Sequence, residues 1–418
     1  MVGRSRNCRV PPSRGQIPPP GTLLLAIGGV YVSQTMVSMI AMQSLPTLLR
    51  KAGIPTEWIG LSSLFMLPWV LKFLWAPIIE RLRLPAGRTE RRSRRIILAG
   101  QFLLAGLFIA ISCLYWNAAL DGTGTLGLFI ALMLAAFLAA SVDVACDGMA
   151  VDHLPTSDRH YGNSAQVGGG YLGFLLGTGA FLALYTRFGP GAALLCSGLA
   201  VLTLTLPLLR FREQPRDAVL SRYRPSLGQA LRRREVRGGL VMIALLEVGL
   251  RIAVGMIGPL LVDRGASLDL VGWIFGGFAI GSGLLGTATG TVLIGRVGAW
   301  KTVFVTYGGL VLILGGMAQA TQVDFRILVC MVGAIFTLMA GGLVASYSVL
   351  MGLASPSQAG IDFTLFQCAD ALVSLLGGIF GGWLAGRWGY DVCFAMAASF
   401  AGIATAGAAA RTRFLKYW

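Results

Sequence analysis

The sequence predicts an all-α membrane protein with twelve transmembrane helices, arranged as two pseudo-symmetric halves of six helices each. Three observations predict this fold class. The 418 residues are 55% hydrophobic and only 12% charged, whereas soluble domains carry about 25% charged residues. Apolar windows long enough to cross a bilayer recur along the chain. An internal repeat also relates the first half of the sequence to the second.

The twelve transmembrane helices follow from the apolar windows, since a helix needs about 20 mainly apolar residues to span a membrane. We number the predicted spans 1 to 12 in chain order: 22–46, 58–79, 96–116, 125–146, 164–186, 190–209, 239–262, 271–294, 302–320, 327–352, 363–386 and 390–410. An even number of spans places both termini on one side of the membrane. The apolar run that follows the N-terminal segment is too long for a signal peptide, so we expect an uncleaved first span.

The basic residues predict the orientation of the chain. Of the 34 Lys and Arg residues, two lie inside spans (Lys72 and Arg251) and 26 lie on the side of the termini. Six lie on the opposite side: Arg50, Lys51, Arg187, Arg264, Arg326 and Arg387. This bias predicts that both termini are cytoplasmic. It also explains the net charge of +16 without nucleic acid as a partner, and the lipid bilayer is the expected surrounding.

The reactive side chains predict neither an enzyme nor a resident cofactor. The seven cysteines are scattered without C-x-x-C spacing, so they indicate neither a disulfide framework nor a metal site. The two histidines, His153 and His160, lie near an inner loop without metal-ligand spacing. A sensor or scaffold would be expected to carry a soluble domain, and no loop between the spans is long enough for one.

The longest inner segment, 210–238, divides the spans six and six. We therefore predict an N-terminal tail (1–21), a first half (22–209), a basic linker (210–238), a second half (239–410) and a C-terminal tail (411–418). The repeat supports this division, because APIIERLR at 76–83 matches TVLIGRVG at 291–298, and Arg187-Phe188-Gly189 matches Arg387-Trp388-Gly389. Two six-helix halves in the same orientation are the plan of major facilitator transporters.

Two motifs carry a resemblance to that superfamily. APIIER and the following GRTERRSRR resemble the loop signature G-x-x-x-D-R-x-G-R-R, although Ala76 replaces glycine and Glu80 replaces aspartate. In the second half Thr291 and Gly295 stand at the corresponding positions. The resemblance therefore implies that the first-half loop, with Glu80 and Arg81, is the stronger gating contact, and that Arg296 is its counterpart in the second half.

A narrower resemblance comes from LKFLWAPIIER and from SVDVACDGMAVDHLPTSDRHYGNSAQVGGGYLG at 141–173. These stretches resemble the subgroup that holds the AmpG-type muropeptide permeases, the acetyl-CoA transporters and the RhtX/FptX-type siderophore permeases. With short loops and twelve spans, the chain is most similar to the siderophore permeases. This implies a monomer of the bacterial inner membrane that imports an anionic iron-siderophore of the pyochelin or rhizobactin type, with iron only as part of the ligand. The alternatives are a muropeptide permease and an exporter of drugs or metabolites.

Ionisable residues inside spans mark substrate or proton pathways. Glu247 and Arg251 in span 7 are four residues apart, hence on one helix face and in the favourable order. Their position is near the middle of the membrane, where transporter sites lie. Arg251 offers a planar fork to a carboxylate or phenolate, and Glu247 either holds it or carries a proton. A structural pair within the helix is the alternative.

Further acids and one lysine extend this set. Asp143 and Asp147 in span 4 are four apart and repel each other, so proton coupling is one interpretation. For Asp147 and Asp152 we expect solvation at the inner mouth, where they organise the basic inner loops. Lys72 in span 2 and Asp370 in span 11 lie at similar depth. By facilitator architecture these spans are neighbours across the halves, so we expect a gating pair between them, with Asp143 as the competing partner of Lys72.

Amides, tyrosines and glycines complete the candidates. Gln34 in span 1 is the amide expected in the cavity, while Gln43, Gln166 and Gln367 are others within spans. Tyr31 and Tyr347 could stack on an aromatic ligand or serve in packing. Repeated small-residue spacing in spans 5, 8 and 11 lets helix backbones approach closely. We therefore expect these glycines to form sliding surfaces between the halves.

Overall fold

The computed structural model describes residues 21–45, 47–48, 64–116, 122–216, 223–319 and 321–415. Within these ranges the regular structure is helical throughout. The α-helices are α1 (Gly21–Met39), α2 (Leu67–Leu71), α3 (Ala76–Arg83), α4 (Ser93–Leu114), α5 (Gly122–His153), α6 (Arg159–Leu175), α7 (Phe181–Arg210), α8 (Leu227–Arg232), α9 (Arg234–Asp263), α10 (Leu268–Trp273), α11 (Ala279–Val297), α12 (Ala299–Met317), α13 (Phe325–Leu353) and α14 (Ala359–Leu415). Short π-helical turns at Ile40–Ser44, Leu176–Ala180 and Ile274–Phe278 extend or join neighbouring α-helices.

The described part of the chain agrees with the predicted spans. Nine of its helices are long and apolar enough to cross a membrane. Two of these, Arg159–Arg210 and Ala359–Gly407, are 52 and 49 residues long, and each holds two successive spans. Span 2 begins outside the described residues and continues as the shorter apolar helix Leu64–Leu74. The fold is therefore consistent with twelve spans, and we keep the predicted span numbers and halves as names.

Two glycines make the turns inside the long helices. Gly189 has φ 84° and ψ 176°, and Gly389 has φ 85° and ψ 168°. Glycine takes positive φ at no steric cost because it lacks a Cβ atom. These two residues are the glycines of the repeated Arg-Phe-Gly and Arg-Trp-Gly motifs. The sequence repeat thus corresponds to the same backbone turn in both halves, between spans 5 and 6 and between spans 11 and 12.

The α-helix of span 2 is interrupted near its end at Lys72–Leu74. Lys72–Leu74 forms a 3₁₀ turn between α2 and α3, and Pro77 lies in the first turn of α3. Proline cannot donate the backbone hydrogen bond that would continue an α-helix through this point. The tighter turn changes the direction in which the Lys72 side chain leaves the helix.

Most of the glycines pack spans together within one half, and a smaller number lie between the halves. A Cβ on Gly173 would lie 2.5 Å from the carbonyl oxygen of Val32 in span 1. A Cβ on Gly381 would lie 2.5 Å from the carbonyl oxygen of Ile252 in span 7. Gly283 is an exception, since it packs against Tyr171 of the opposite half. The close helix approach that was predicted is therefore used to build each half.

Apolar side chains form three buried clusters. One lies mainly in the second half, around Leu250, Leu314 and Phe394. Another lies in the first half, around Val37 and Phe108. The third contains residues of both halves, including Val144, Leu350 and Phe366. We call the side of the bundle that carries the linker the linker side, and this third cluster joins the halves there.

Candidate functional site

A cavity of about 440 Å³ lies between the two halves, and we call it the polar chamber. Spans 1, 2, 4, 5, 7, 10 and 11 all contribute to its wall. The chamber contains most of the ionisable residues that the sequence singled out inside spans. Its lining includes Tyr31, Gln34, Thr35, Ser38, Lys72, Asp143, Gln166, Arg251, Tyr347, Gln367, Asp370 and Ser374.

A second cavity of about 470 Å³ adjoins the first, and we call it the aromatic chamber. The two chambers share Thr35, Gln166, Arg251 and Tyr347 in their walls. Apart from these residues, the wall of the aromatic chamber is mainly aromatic and aliphatic. It contains Val167, Gly170, Tyr171, Phe174, Phe275, Ala279, Ile280, Phe336, Met339 and Leu343.

Arg251 lies where the two chambers meet and is held by two acids. Its Nη2 atom donates to both carboxylate oxygens of Asp370, at 2.8 and 3.0 Å. Its Nε atom lies 3.1 Å from Oε2 of Glu247, one turn away on the same helix. The Tyr347 hydroxyl donates to Asp370 at 2.7 Å, and the Tyr307 hydroxyl donates to Glu247. The predicted pair of span 7 is thus part of a larger network.

Backbone packing brings Arg251 and Asp370 together. Gly377 in span 11 faces Arg251 in span 7, and a Cβ atom on Gly377 would lie 2.8 Å from the Cβ of Arg251. Such close contact between helix backbones requires a small residue at the crossing. Asp370 lies two turns from Gly377 on the same helix, so its carboxylate reaches the guanidinium group.

Lys72 forms the centre of a second network. Its Nζ atom donates to Asp143 and to the amide oxygen of Gln367 in the opposite half. The Gln34 amide also contacts Asp143, with its nitrogen 2.8 Å from Oδ1 in the orientation that satisfies both groups. Lys72 is only 1% exposed. A buried ammonium group requires such partners, because an unpaired buried charge is very unfavourable.

The expected gating pair between Lys72 and Asp370 is not formed in this conformation, in which Lys72 binds the competing partner Asp143. The reason is geometric. Asp370 is already bound by Arg251 and Tyr347. The residue of span 11 that reaches Lys72 is Gln367, almost one turn closer to the linker side. Lys72 therefore does contact span 11, but through an amide instead of a carboxylate.

Asp147 and Asp152 are not solvated at the mouth as expected, but Asp152 does contact the basic inner loop. Asp147 is 0% exposed and accepts hydrogen bonds from the Tyr31 hydroxyl and from Gln367 Nε2, the latter at 3.3 Å. Asp152 forms ion pairs with Arg83 and Arg91. Both acids are buried because α5 continues to His153 and packs against the remainder of the first half.

The predicted gating residue Glu80 contacts the opposite half. Its carboxylate accepts two hydrogen bonds from Arg83, at 2.8 and 2.6 Å, and one from the backbone N–H of Gly360, at 3.1 Å. Burial lowers the pKa of the Arg83 guanidinium, but the carboxylates of Asp152 and Glu80 outweigh this effect and raise the pKa above its ordinary value. Arg83 therefore stays charged in its buried position.

Other contacts on the linker side join the halves. Arg159 donates to the carbonyl oxygen of Met351 at 2.5 Å, and Asn163 donates to Ser348 at 3.1 Å. The hydroxyls of Ser164 and Thr291 share a hydrogen bond. Among the described residues, all of these contacts lie between the polar chamber and the linker side, so the halves are closed there.

The two remaining gating candidates lie apart from this interface. Arg81 points to the linker and donates to the carbonyl oxygen of Pro225 at 3.1 Å. Arg296 is exposed at the end of α11. The structure thus brings together Tyr31, Gln34, Lys72 and Asp143 in one network, and Glu247, Arg251, Tyr347 and Asp370 in another.

Sequence reasoning missed Arg83 and Tyr307. Arg83 stands where the superfamily loop signature has its second glycine, and this departure could have drawn attention to it. Arg83 is nevertheless 0% exposed and contacts Glu80, Ser93 and Asp152. Tyr307 in span 9 resembles any other membrane aromatic residue, and the sequence carries no signal that it binds Glu247.

Comparison with known proteins gives a consistent result. Residues 27–361 match the family described as the Major Facilitator Superfamily. The anhydromuropeptide permease of Escherichia coli is 27% identical over 375 residues, which cover 84% of this chain and 72% of that protein. An uncharacterised protein of Haemophilus influenzae is 24% identical over 369 residues, covering 83% of this chain and 84% of that protein.

Solved structures share the fold at low identity. The human organic anion transporter MFSD10 superposes with a TM-score of 0.70 and 15% identity, over 93% of this chain and 99% of that chain. A bacterial homologue of the iron transporter ferroportin, in an outward-facing state, superposes with a TM-score of 0.67 and 15% identity, over 93% of this chain and 99% of that chain. The fucose:proton symporter of Escherichia coli superposes with a TM-score of 0.67 and 16% identity, over 93% of this chain and 97% of that chain. The chain is thus a multi-pass membrane protein that belongs to the Major Facilitator Superfamily of secondary transporters.

Proposed function

We propose that this chain imports an anionic iron-siderophore complex of the pyochelin or rhizobactin type across the bacterial inner membrane. The observation that carries the proposal is the division of one cavity into a polar and an aromatic chamber, which meet at Arg251 and Tyr347. A siderophore complex with an aryl ring and carboxylate or phenolate oxygens likewise has an aromatic part and an anionic part. Together the chambers have the size of ordinary small-molecule sites, which range from about 300 to about 1,000 Å³.

Arg251 is the group that would bind the anionic part of the substrate. Its Nη2 and Nε atoms face Asp370 and Glu247, while the side chain also lines both chambers. A guanidinium group offers five donors in a planar fork, so it can bind a carboxylate or phenolate while keeping an acidic partner. Tyr347 adds a hydroxyl beside it.

The aromatic chamber would hold the apolar part of the substrate. Phe275 and Phe336 lie edge to face with ring centroids 6.0 Å apart, and Tyr171 and Phe174 lie in the same wall. Aromatic rings favour such offset or edge-to-face contacts with another ring. A ligand without an aromatic or extended apolar part would leave this chamber unused.

The conformation supports loading from the side opposite the linker. The described contacts between the halves close the linker side, which the distribution of Lys and Arg predicts to face the cytoplasm. Two solved relatives of the same fold are described as outward-facing. Alternating access would then require the contacts at Glu80, Arg159 and Ser164 to break, so that the substrate is released into the cytoplasm.

Proton coupling forms part of this proposal, and we infer it from the number of charges. Four buried carboxyl groups (Asp143, Asp147, Glu247 and Asp370) face two cations (Lys72 and Arg251) in the two networks. Fully ionised, these networks would carry a net negative charge that repels an anionic substrate. A proton bound to one or more of the acids would remove this obstacle.

A muropeptide permease is the second candidate function. It rests on the 27% identity to the anhydromuropeptide permease of Escherichia coli over 84% of this chain. An anhydromuropeptide also carries carboxylates that Arg251 could bind. It would fill the polar chamber, but its sugar and peptide parts are a poorer chemical match to the aromatic chamber.

Transport by right-side-out membrane vesicles tests both candidates directly. Vesicles that contain the protein, and vector control vesicles, receive either radioiron-loaded pyochelin or a radiolabelled anhydromuropeptide. We expect accumulation of the iron complex above the control, with inhibition by excess unlabelled complex. Accumulation of the muropeptide alone would reject the siderophore proposal and support the second candidate.

A further inference from the structure

Asp147 differs from the other carboxyl groups of the two networks. It is 0% exposed, and its Oδ1 atom accepts hydrogen bonds from Tyr31 and Gln367. Its Oδ2 atom is buried and has no hydrogen-bond partner among the described residues. The remaining acids each form an ion pair: Asp143 with Lys72, and both Glu247 and Asp370 with Arg251. Across the described chain, no Lys or Arg nitrogen lies within 4.0 Å of the Asp147 carboxylate.

The surroundings of Asp147 contain several ionisable groups but no free cation for it. Tyr31 faces it from span 1, Lys72 from span 2, Asp143 and Cys146 from its own helix, and Cys368 from span 11. Lys72, the nearest cation, donates to Asp143 and Gln367. Asp143 and Asp147 therefore compete for one positive charge, and an unpaired buried carboxylate is strongly unfavourable.

The occupant that fits the unpartnered oxygen is a proton. A sodium ion would need several oxygen ligands, yet the backbone that carries Asp147, Tyr31 and Gln367 is helical. Helical carbonyls are already used as acceptors within the helix. The positive charge of Lys72 would also repel a metal cation. A proton needs only the Oδ2 atom itself, and it makes the group of Lys72, Asp143 and Asp147 neutral.

Asp147 is also connected to the opposite half. Gln367 of span 11 donates from Nε2 to Asp147 at 3.3 Å and accepts from Lys72 through Oε1. Its amide thus bridges the acid and the lysine of the first half from the second half. Tyr31 and Gln367 line the polar chamber and contact Asp147, so they form the layer through which a proton from the chamber would reach it.

We propose that Asp147 is the proton-binding site of this transporter, and that the bound proton loosens the bridge which Gln367 forms between the halves. The proton adds to Oδ2 and converts the carboxylate into a neutral carboxyl group. A hydrogen bond to a charged carboxylate is roughly twice as strong as one to a neutral group. The hydrogen bond from Gln367 to Oδ1 is therefore weakened when the proton binds. Loading the proton from the polar chamber therefore favours opening on the linker side.

This inference rests on the proposed function only for alternating access, and it does not depend on which substrate is carried. A substrate-free experiment therefore tests it separately. Spin labels at Tyr161 and Val297, both exposed near the linker-side ends of spans 5 and 8, report the distance between the halves. The labels are introduced as Tyr161→Cys and Val297→Cys in a protein whose native cysteines are replaced, and the protein is reconstituted in lipid nanodiscs. Pulsed electron paramagnetic resonance gives the fraction of long distances.

For the protein with native Asp147, we expect the open fraction to rise about fivefold on acidification over the titration range of Asp147. Asp147→Asn imitates the protonated group, so its open fraction should be high and should not respond to pH. Asp147→Glu should restore the pH response. Gln367→Leu, which removes the bridge, should give a high open fraction at every pH.

Three results would overturn the proposal. The first is a pH response in Asp147→Asn equal to that of the protein with native Asp147. The second is an open fraction that does not change with pH in the protein with native Asp147. The third is opening driven by sodium chloride, against a potassium chloride control, at constant pH, which would make the site a sodium site. A siderophore that is not transported would leave all of these measurements interpretable, because none of them uses a substrate.

Discussion

Arg251 of span 7 donates to both carboxylate oxygens of Asp370 in span 11, at 2.8 and 3.0 Å, at the point where the polar and aromatic chambers meet. We expect Arg251→Gln to reduce substrate uptake about 100-fold, because it removes the charged group that would bind the anionic part of the substrate, and a hydrogen bond to a charged group contributes about 1.5–3 kcal/mol. Uptake is measured in vesicles with equal amounts of protein. Arg387→Gln is the matched control, since Arg387 is exposed and lies over the Trp388 ring. Full uptake by Arg251→Gln would show that the pair is structural only.

Lys72 and Asp143 provide a test by charge reversal. Lys72→Asp alone should abolish uptake, because it places three acids together in a buried site. Combining Lys72→Asp with Asp143→Lys should restore at least about a tenth of the activity, since the ion pair is re-formed with reversed polarity. Combining Lys72→Asp with Asp370→Lys should not restore it. Rescue by the second combination alone would mean that Lys72 pairs across the halves.

Arg83 is expected to be essential for stability. Arg83→Met removes the cation that binds Glu80 and leaves Asp152 with Arg91 alone, and an uncompensated buried charge costs about 3–5 kcal/mol. The variant should therefore unfold at a lower temperature in detergent, as followed by fluorescence-detected size exclusion after heating. Arg88→Met, at an exposed position of the same segment, should unfold at the temperature of the unmodified protein. Equal unfolding temperatures for the two variants would contradict the buried network.

Gly360 allows the closure of the linker side to be changed by one methyl group. A Cβ on Gly360 would lie 2.3 Å from Oε2 of Glu80 and 3.0 Å from the carbonyl oxygen of Val144. Gly360→Ala should therefore separate the halves and increase the open fraction reported by the spin labels at positions 161 and 297. Gly352→Ala, where a Cβ meets nothing within 4 Å, is the control. An unchanged distance distribution in Gly360→Ala would show that the contact yields without opening the halves.

Phe275 tests the role assigned to the aromatic chamber. Phe275→Leu keeps the side chain apolar but removes the ring that lies against Phe336. Aromatic pairs contribute about 0.5–1.5 kcal/mol beyond their buried area, so the KM for an aryl siderophore complex should rise about two- to tenfold. Transport of an anhydromuropeptide, if it occurs, should change little. Equal effects on both ligands would indicate a packing role.

The sequence predicted the fold well because membrane spans leave a strong local signal. Apolar length and the repeated motif around Gly189 and Gly389 agreed with the helices observed. Residue types in the site were also predictable, since a charge inside an apolar span is rare and costly. Lys72, Asp143, Glu247, Arg251 and Asp370 indeed line or adjoin the chambers.

The partners of these residues were less predictable. Equal depth suggested Lys72 and Asp370, but depth leaves open the direction in which a side chain points. The 3₁₀ turn at Lys72–Leu74 and the contact of Gly377 with Arg251 decide the pairing, and both depend on packing between distant segments. The same limitation applies to Asp147, whose burial follows from tertiary contacts that its sequence neighbours do not reveal.

On the linker side, the contacts between the halves differ in kind at the two edges of the bundle. At the edge formed by spans 2, 4 and 11, Arg83 and Glu80 tie the first half to the start of span 11. At the edge formed by spans 5 and 8, the hydroxyl contact of Ser164 with Thr291 lies in the corresponding place, and the exposed Gly295 occupies the position that Glu80 has in the repeat. A neutral contact of this kind is weaker than a charge-assisted one. Arg159 adds a charged donor at the start of span 5, but it binds the Met351 carbonyl oxygen of span 10 and not span 8. The contact between spans 5 and 8 should consequently be the first to separate when the linker side opens.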